Sequence, residues 1–355
     1  MNKRLWYAAP ITLALFLAGC SAIKTQEGDA PIAAQKRTTG FMGLATQDDV
    51  EVQLAKAFAG VDRVVIGGFK VGFNDSKRYD ETRTGVFSGG STTTALVKLA
   101  GIDDTVRQAI TDQAYAQFVQ MLEDKGYQVV PRSLLLQDPA YQKTTESDFP
   151  YKVDQSGLFS SYGVGHYYSP TDVGPRQAFF PGENDSQFFA GMGGQGAIDA
   201  ADKFGAQNDV RVLAVSYMVD FAGAASGAYF SSTLLEVGQL MAVDTGQLVM
   251  SRNETGIRTA TNAMLKLGQP IGSDVTFATI ENVTTDGEVA AEVAANAVAG
   301  LFRGGLIGAF SQQASQTREF VFTADPALYT QAASDAIGQA NTALVNKMAE
   351  LRSPS

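Results

Sequence analysis

The strongest strand signal in the first third of the chain is the run Arg63-Val-Val-Ile-Gly-Gly-Phe-Lys-Val-Gly-Phe73. This run is apolar and rich in β-branched residues, and its first half shows no alternation of polar and apolar positions. A strand of this composition is usually buried on both faces, as in the centre of a sheet that helices cover. The run therefore predicts a central strand, with the covering helices supplied by the segments that follow.

The segments after this run alternate between loop, helix and strand signals. Residues 74–101 are rich in Gly, Ser and Thr and are predicted to form a loop. Asp103 is placed to cap a helix that Gly126 ends, and a short strand at Tyr127-Gln-Val-Val130 leads to a second helix from Arg132. The predicted apolar face of the first helix consists of Val106, Ile110, Ala114, Phe118 and Leu122.

The second half of the chain repeats this alternation after an insertion. Residues 145–195 form an aromatic, glycine-rich stretch without periodicity, and so long a segment of this kind is typically either functional or partly disordered. A helix at 196–206 precedes the strand Arg211-Val-Leu-Ala-Val-Ser-Tyr-Met-Val-Asp220, and Asp244, Thr245 and Gly246 are a tight-turn signal between two further strands. Asp325-Pro326 opens a long closing helix with an apolar face. The order predicts the α/β class, with helices packed on a mixed β-sheet. The predicted face of the closing helix consists of Leu328, Ala332, Ile337, Ala340, Leu344, Met348 and Leu351.

The N-terminus has the layout of a secretory signal. Lys3 and Arg4 precede an uncharged, mostly apolar run at residues 5–17, which is shorter than the ~20 residues that a spanning helix needs. The sequence Leu17-Ala-Gly-Cys20 follows and resembles the lipobox of bacterial lipoproteins. That resemblance implies cleavage between Gly19 and Cys20 and acylation of Cys20. Position 21 holds Ser, whereas an aspartate there is the usual signal for retention in the inner membrane. The alternative is an ordinary signal peptide that contains a cysteine.

These features divide the chain into a signal peptide at 1–19, a flexible tether at 20–45 and a single domain at 46–355. The expected location of the mature protein is the periplasmic face of the outer membrane, to which the lipid anchor holds it.

The composition narrows the classes of function. The chain carries 27 basic and 37 acidic residues, and removal of Lys3 and Arg4 with the signal leaves 25 against 37, a net charge of −12. This charge disfavours nucleic acid as a partner. One histidine, His166, and one cysteine, at the processing site, offer little to hydrolytic or metal chemistry, so we expect no catalytic residues, no metal and no cofactor. A packing or surface role is favoured for His166.

Two glycine patterns have both functional and structural interpretations. Gly191, Gly193 and Gly196 fit the dinucleotide fingerprint, but no buried strand precedes them, so a flexible loop is favoured. Gly300, Gly304 and Gly308 are spaced by four and would form a smooth strip on a helix. Subunit packing or a buried hinge is favoured there over membrane insertion.

The order of elements resembles that of the curli-export channel lipoproteins, a CsgG-like family. The shared features are the strand at Val64-Val65-Ile66, the strand ending Val130-Pro131-Arg132 before a leucine-rich helix, and the pair of strands around Val243-Asp-Thr-Gly-Gln-Leu-Val249. The resemblance implies a periplasmic α/β domain similar to the N-terminal domain of TolB, with Asp244, Thr245 and Gly246 as the family turn. It also implies that the subunits oligomerise and contribute transmembrane β-hairpins.

Two segments are candidates for such hairpins. Residues 257–280 alternate in polarity on both sides of a turn at Gly268-Gln-Pro-Ile-Gly272, as membrane strands do. Residues 217–235 form a less regular candidate that would turn at Ala224-Ala-Ser-Gly227. Ordinary half-buried strands would show the same alternation.

The sequence thus predicts a non-enzymatic outer-membrane lipoprotein, the homo-oligomeric subunit of an export channel for a secreted surface protein. The alternative is a monomeric periplasmic scaffold or activator of the same fold, acting on another envelope protein.

Overall fold

The computed structural model describes residues 22–25, 31–34, 36–39, 45–46, 48–83, 91–154, 163–183, 190–229, 232–253, 262–289 and 316–353. The helices are Asp104–Asp124 (α1), Arg132–Leu136 (α2), Ala190–Asn208 (α3) and Pro326–Arg352 (α4). The strands are Ala22–Thr25 (β1), Thr38–Thr39 (β2), Ala45–Thr46 (β3), Val50–Gln53 (β4), Arg63–Asn74 (β5), Ser76–Arg83 (β6), Ser91–Ala100 (β7), Gln128–Val129 (β8), Ser147–Asp148 (β9), Tyr151–Asp154 (β10), Val164–Tyr168 (β11), Arg176–Gln177 (β12), Arg211–Tyr229 (β13), Ser232–Met250 (β14), Ala263–Leu267 (β15), Ile271–Ser273 (β16), Ala278–Asn282 (β17) and Gln316–Ala324 (β18).

The main sheet has the strand order β10-β11-β5-β13-β14-β15-β4, with β8 beside β5 and with β1 and β16 beside β14. Its centre is parallel, since β5 pairs in parallel with both β13 and β8. The remaining pairs along this order are antiparallel. The mixed α/β class predicted from the sequence is confirmed.

Helices cover both faces of the main sheet, which explains the unbroken apolar run of β5. Val64 and Ile66 belong to the core under α1 and α4, whereas Val65 packs in a second core with residues of α2 and α3 such as Leu135 and Phe204. Successive strand residues point to opposite faces, so both parities must be apolar where both faces are covered.

The caps predicted for the two long helices are confirmed. Asp103 accepts a hydrogen bond from the amide of Val106 at 3.0 Å, and Gly126 follows α1 with a φ of +80°. Asp325 accepts from the amides of Ala327 and Leu328 at 2.9 Å each. One residue of the predicted α4 face is misplaced, because Leu328 lies in the exposed first turn.

A second sheet corrects the loop predicted at 74–101. Strands β6 and β7 occupy most of this stretch and pair with each other, in the order β17-β18-β7-β6. The threonines of Ser91-Thr-Thr-Thr-Ala-Leu-Val97 are β-branched, as Val97 is, and β-branched residues favour extended backbone.

Two further predictions are corrected. Gly191, Gly193 and Gly196 lie inside α3, so this stretch is neither a loop nor a phosphate-binding turn. The aromatic insertion is partly regular, because β10 and β11 extend the main sheet past β5. Residues 155–162 and 184–189 of the insertion lie outside the described residues, as do Gly300, Gly304 and Gly308.

Candidate functional site

The most extended feature of the molecule is the two-stranded ribbon of β13 and β14, with 19 residues in each strand. The strands pair from Leu213 and Met250 to Tyr229 and Ser232, a length of about 60 Å at ~3.3 Å per residue. The half before Asp220 lies in the helix-covered sheet. The half beyond Asp220, called the distal ribbon here (residues 220–242), extends past it.

The second sheet packs on the distal ribbon. The rings of Phe221 and Phe322 meet edge to face with centroids 5.5 Å apart, and the Tyr79 hydroxyl donates to the carbonyl of Ala222. Leu235 and Val237 are buried in the same core. The distal ribbon is therefore one layer of a β-sandwich.

The candidate hairpin at 217–235 is an antiparallel pair, but its predicted turn is wrong. Ala224 pairs with Val237 and Gly227 pairs with Leu234, so Ala224-Ala-Ser-Gly227 is extended strand. None of these four residues has the left-handed backbone of a tight turn. The chain reverses after Tyr229, and the connecting residues 230–231 lie outside the described part of the chain.

Asp244, Thr245 and Gly246 do not form a turn; they lie within β14. Met218 pairs with Thr245 and Val219 pairs with Val243, so Asp244 is the extra residue of a β-bulge. A Cβ on Gly246 would lie 2.7 Å from Leu267 and 2.8 Å from Tyr217. Close packing against neighbouring strands therefore requires glycine at this position. In the sequence, such a glycine after Asp and Thr cannot be distinguished from the glycine of a tight turn.

The second candidate hairpin, residues 257–280, is contradicted where the structure describes it. Both β15 and β16 pair with β14, and β17 pairs with β18 in the other sheet. The turn at Gly268-Gln-Pro270 lets the chain pass the bulge and continue along the same partner strand. Residues 254–261 lie outside the described residues.

The N-terminal residues predicted as a flexible tether pack, where described, along the ribbon. Strand β1 pairs in parallel with β14, from Ala22 opposite Leu234 to Thr25 opposite Val237. Farther along, the amide of Ile32 donates to the carbonyl of Gln239 at 2.8 Å. Cys20 and Gly19 lie outside the described residues, but Ala22 is only two residues from Cys20.

A cluster of charges sits where the distal ribbon leaves the helix-covered sheet; it is called the root cluster here. Asp220 contacts both Asn74 and Lys77, and its side chain is only 5% exposed. Arg37 binds the side chain of Asp244 at 3.1 Å and its carbonyl at 2.8 Å. A cavity of about 190 Å³ lies between these groups.

The root cluster connects four chain segments through opposite charges: those of Arg37 and of Lys77, and the strands of Asp220 and Asp244. Burial disfavours the charged form of Lys77, but the attraction of Asp220 outweighs this effect and raises the pKa of Lys77. For Tyr79, in contrast, burial itself raises the pKa, because it disfavours the charged phenolate. Lys77 is therefore a stable cation at neutral pH, and the cluster fixes the direction in which the ribbon leaves the sheet. Sequence reasoning missed these partners, although a carboxylate at the end of an apolar strand is a detectable signal.

His166 is half-buried and bound to a carboxylate. Its Nδ1 lies 2.6 Å from Oδ2 of Asp75, and Oδ1 of Asp75 lies 2.5 Å from the buried guanidinium of Arg107. The arrangement joins β11 and α1 to the end of β5. It gives His166 a structural partner, in line with the packing role expected for it.

Within the described residues, no group of three or more His, Cys, Asp or Glu side chains is arranged to hold a metal ion. None of the described helices is both long enough and apolar enough to span a bilayer. Comparisons with family models, with curated proteins and with solved structures found no match to this chain.

Proposed function

We propose that this protein is a lipid-anchored protein of the outer membrane whose ribbon tip meets the bilayer and whose copies assemble into a channel-like export oligomer. The single observation that carries the proposal is the register of β1 on β14, which pairs Ala22 with Leu234. Leu234 is two residues from Ser232, where β14 begins. The acceptor of the proposed acyl chains and the end of the ribbon are therefore neighbours.

Chain connectivity sets the distance. Consecutive Cα atoms are 3.8 Å apart, so Cys20 can lie at most about 7 Å from Ala22. Acyl chains on Cys20 would therefore enter the bilayer within roughly 20 Å of Ser232, at the start of β14. Had the N-terminal segment paired with the end of the ribbon that lies in the helix-covered sheet, the anchor would have held the ribbon tip away from the membrane.

The sequence of the ribbon tip suits contact with lipid. Residues 221–235 contain no charged side chain, and Tyr229, the last residue of β13, is followed in the sequence by a second aromatic residue. Charged groups are costly in the bilayer, and aromatic residues are enriched at its interface. The nearest charges along β14 and β1, Glu236 and Lys24, lie 3.5 Å apart and compensate each other.

An open strand edge supports assembly. The pairing of β13 with β5 ends at Val219 and Phe73, and in the described part of the chain no strand pairs with that edge of β13 beyond this point. Because no described strand covers this edge, the corresponding strand of a neighbouring copy could pair along it. Such pairing would extend the distal ribbons into a continuous sheet between subunits.

The experiment uses the absence of any cysteine other than Cys20. Acylation blocks Cys20, so Thr233→Cys near the tip and Lys203→Cys on α3 each give one site for a fluorophore in the lipidated protein. In liposomes that contain lipids with a quencher in their acyl chains, we expect strong quenching at position 233 and none at 203. Equal quenching at the two positions would refute the orientation.

A second candidate function is a monomeric scaffold with the same anchor. Its support is that the distal ribbon is already covered by the second sheet, with Leu235 and Val237 buried without a partner molecule, and that 257–280 supplies no second hairpin. Unheated gels of detergent extracts separate the two candidates. Heat-labile oligomers are expected for the channel-like subunit, and monomer alone, with position 233 still quenched, would favour the scaffold.

A further inference from the structure

A line of polar side chains crosses the main sheet on the face that the aromatic insertion covers. Lys70 pairs with Ser216, Ser216 with Gln247, and Gln247 with Lys266, so these four residues lie side by side on four adjacent strands. The neighbouring line on this face is apolar and includes Ala214, Val249 and Met264. A polar line across a buried sheet face has no role in packing a core.

The inner end of this line is a buried ion pair. Nζ of Lys70 lies 2.8 Å from Oε2 of Glu183, and neither side chain is exposed to solvent. Oε2 of Glu183 also accepts a hydrogen bond from the amide of Phe180 at 2.6 Å. Oε1 of the same carboxylate is buried and has no hydrogen-bond partner among the described residues. A buried carboxylate oxygen without a donor is unfavourable, so this atom calls for a donor from outside the described residues.

A cavity of about 140 Å³ adjoins this carboxylate. Its lining includes Glu183, Ser216, Gln247 and Lys266, with Tyr167 and Met218 as apolar walls. Lys266 is exposed, and Glu51 of β4 lies opposite it in the sheet register. A cavity of roughly 150 Å³ accommodates a molecule of six non-hydrogen atoms such as benzene, so this one has room for a ligand of that size.

We propose that this cavity binds a small zwitterion, a free amino acid of the size of glycine or alanine. Its ammonium group donates to Oε1 of Glu183, and its carboxylate faces Lys266 at the mouth. Ser216 and Gln247 lie between these two ends and supply neutral hydrogen-bonding groups. A simple anion would meet the carboxylate of Glu183, and a simple amine would make no contact with the ammonium group of Lys266, so the two ends together select a ligand that carries both charges.

The test measures binding of small probes to the detergent-extracted, full-length lipidated protein by calorimetry. Glycine and alanine are expected to bind saturably. Betaine, which is N-trimethylated glycine, keeps both charges but has no N–H donor and is larger than the six non-hydrogen atoms for which the cavity has room, so it should bind at least tenfold more weakly on both grounds. Methylamine and acetate each lack one charged end and should bind no better than betaine.

Variants of the lining provide the second arm. The exposed Lys266→Gln change should weaken glycine binding several-fold, whereas Lys203→Gln, an exposed lysine on α3, should leave it unchanged. The pair Lys70→Met with Glu183→Gln removes both buried charges together, which protein interiors tolerate better than the loss of one. Binding should fall below detection in this variant while its circular dichroism stays native. The proposal is overturned if neither glycine nor alanine binds saturably, or if binding is insensitive to N-methylation and to Lys266→Gln.

Discussion

At the scale of single residues, Asp75 connects Arg107 and His166, two side chains of very different exposure. Arg107 is 8% exposed and depends on Asp75, whereas His166 is 32% exposed and can be hydrated. We therefore predict that Asp75→Asn lowers the free energy of unfolding by about 2 kcal/mol, because it leaves a buried guanidinium without its counter-charge. His166→Gln should cost less than ~1 kcal/mol. Urea denaturation of the Cys20→Ser protein measures both changes.

The test depends on which of the two substitutions causes the larger loss of unfolding free energy. If His166→Gln proved as costly as Asp75→Asn, the imidazole would be an essential part of the cluster, and a purely structural role for Asp75 as the partner of Arg107 would be wrong. Equal and negligible effects would mean that the guanidinium finds another partner or water.

Residues that act within one turn of chain could be predicted from the sequence, and residues that act across the fold could not. Asp103 and Asp325 cap helices that begin next to them, so spacing alone identifies them. Lys70 and Glu183 are 113 residues apart, and Lys77 and Asp220 are 143 apart. No local pattern specifies such pairs, because the topology of the sheet brings them together.

At the scale of elements, glycine was the least informative signal. The same residue type marks the end of α1 at Gly126, a tightly packed position of β14 at Gly246 and the interior of α3 at Gly196. The sequence suggested a turn at 246 and a loop at 196, because local propensity does not register the packing that forces Gly246 or the tertiary contacts that hold α3. Strands β6 and β7 were missed for a related reason, since their Ser and Thr content resembles a loop until a partner strand is known.

Two glycine-to-alanine changes test this interpretation as a matched pair. At Gly246 a Cβ would lie under 3 Å from Leu267 and Tyr217, and we predict that Gly246→Ala costs ~1 to 3 kcal/mol of unfolding free energy through overpacking. At Gly196 a Cβ meets nothing within 4 Å, and Gly196→Ala should stabilise by up to ~1 kcal/mol through helix propensity. Thermal unfolding of the two variants gives the signs directly. A stabilised Gly246→Ala protein would show that Leu267 and Tyr217 can move to make room for the added methyl group.

At the scale of the whole molecule, the α/β class could be predicted because it depends on periodicity and on the order of elements. The central strand, α1, the short strand β8, α2 and the closing helix lie where the sequence indicated. The division of the strands into two sheets could not be predicted. Residues 257–280 were predicted to form one hairpin, yet the strands described there divide between both sheets, because strand pairing depends on partners distant in sequence.

The larger core contains a set of buried tyrosines, and we expect them to set the alkaline limit of the fold. Burial raises the pKa of Tyr127 and of Tyr168 to about 12, and it also raises the pKa values of Tyr217 and Tyr329. In the unfolded chain a tyrosine ionises near pH 10. Below pH 10 both states are protonated and stability is unaffected, whereas above it the unfolded state loses its protons first. Each such tyrosine then lowers stability by roughly 1.4 kcal/mol per pH unit until its folded pKa is reached.

We therefore predict that the urea midpoint falls steeply between pH 10 and 12, and that tyrosinate absorbance rises together with the loss of circular dichroism. Tyr127 offers a matched variant, because its hydroxyl has no hydrogen-bond partner among the described residues, while its ring packs on Arg352 at 4.6 Å. Tyr127→Phe keeps the ring contact and removes the ionisation, so it should match the wild-type protein at pH 8 and exceed its stability at pH 11. If the variant shows no advantage at pH 11, ionisation of Tyr127 does not contribute to alkaline unfolding, and the midpoint must be controlled by tyrosines elsewhere in the core.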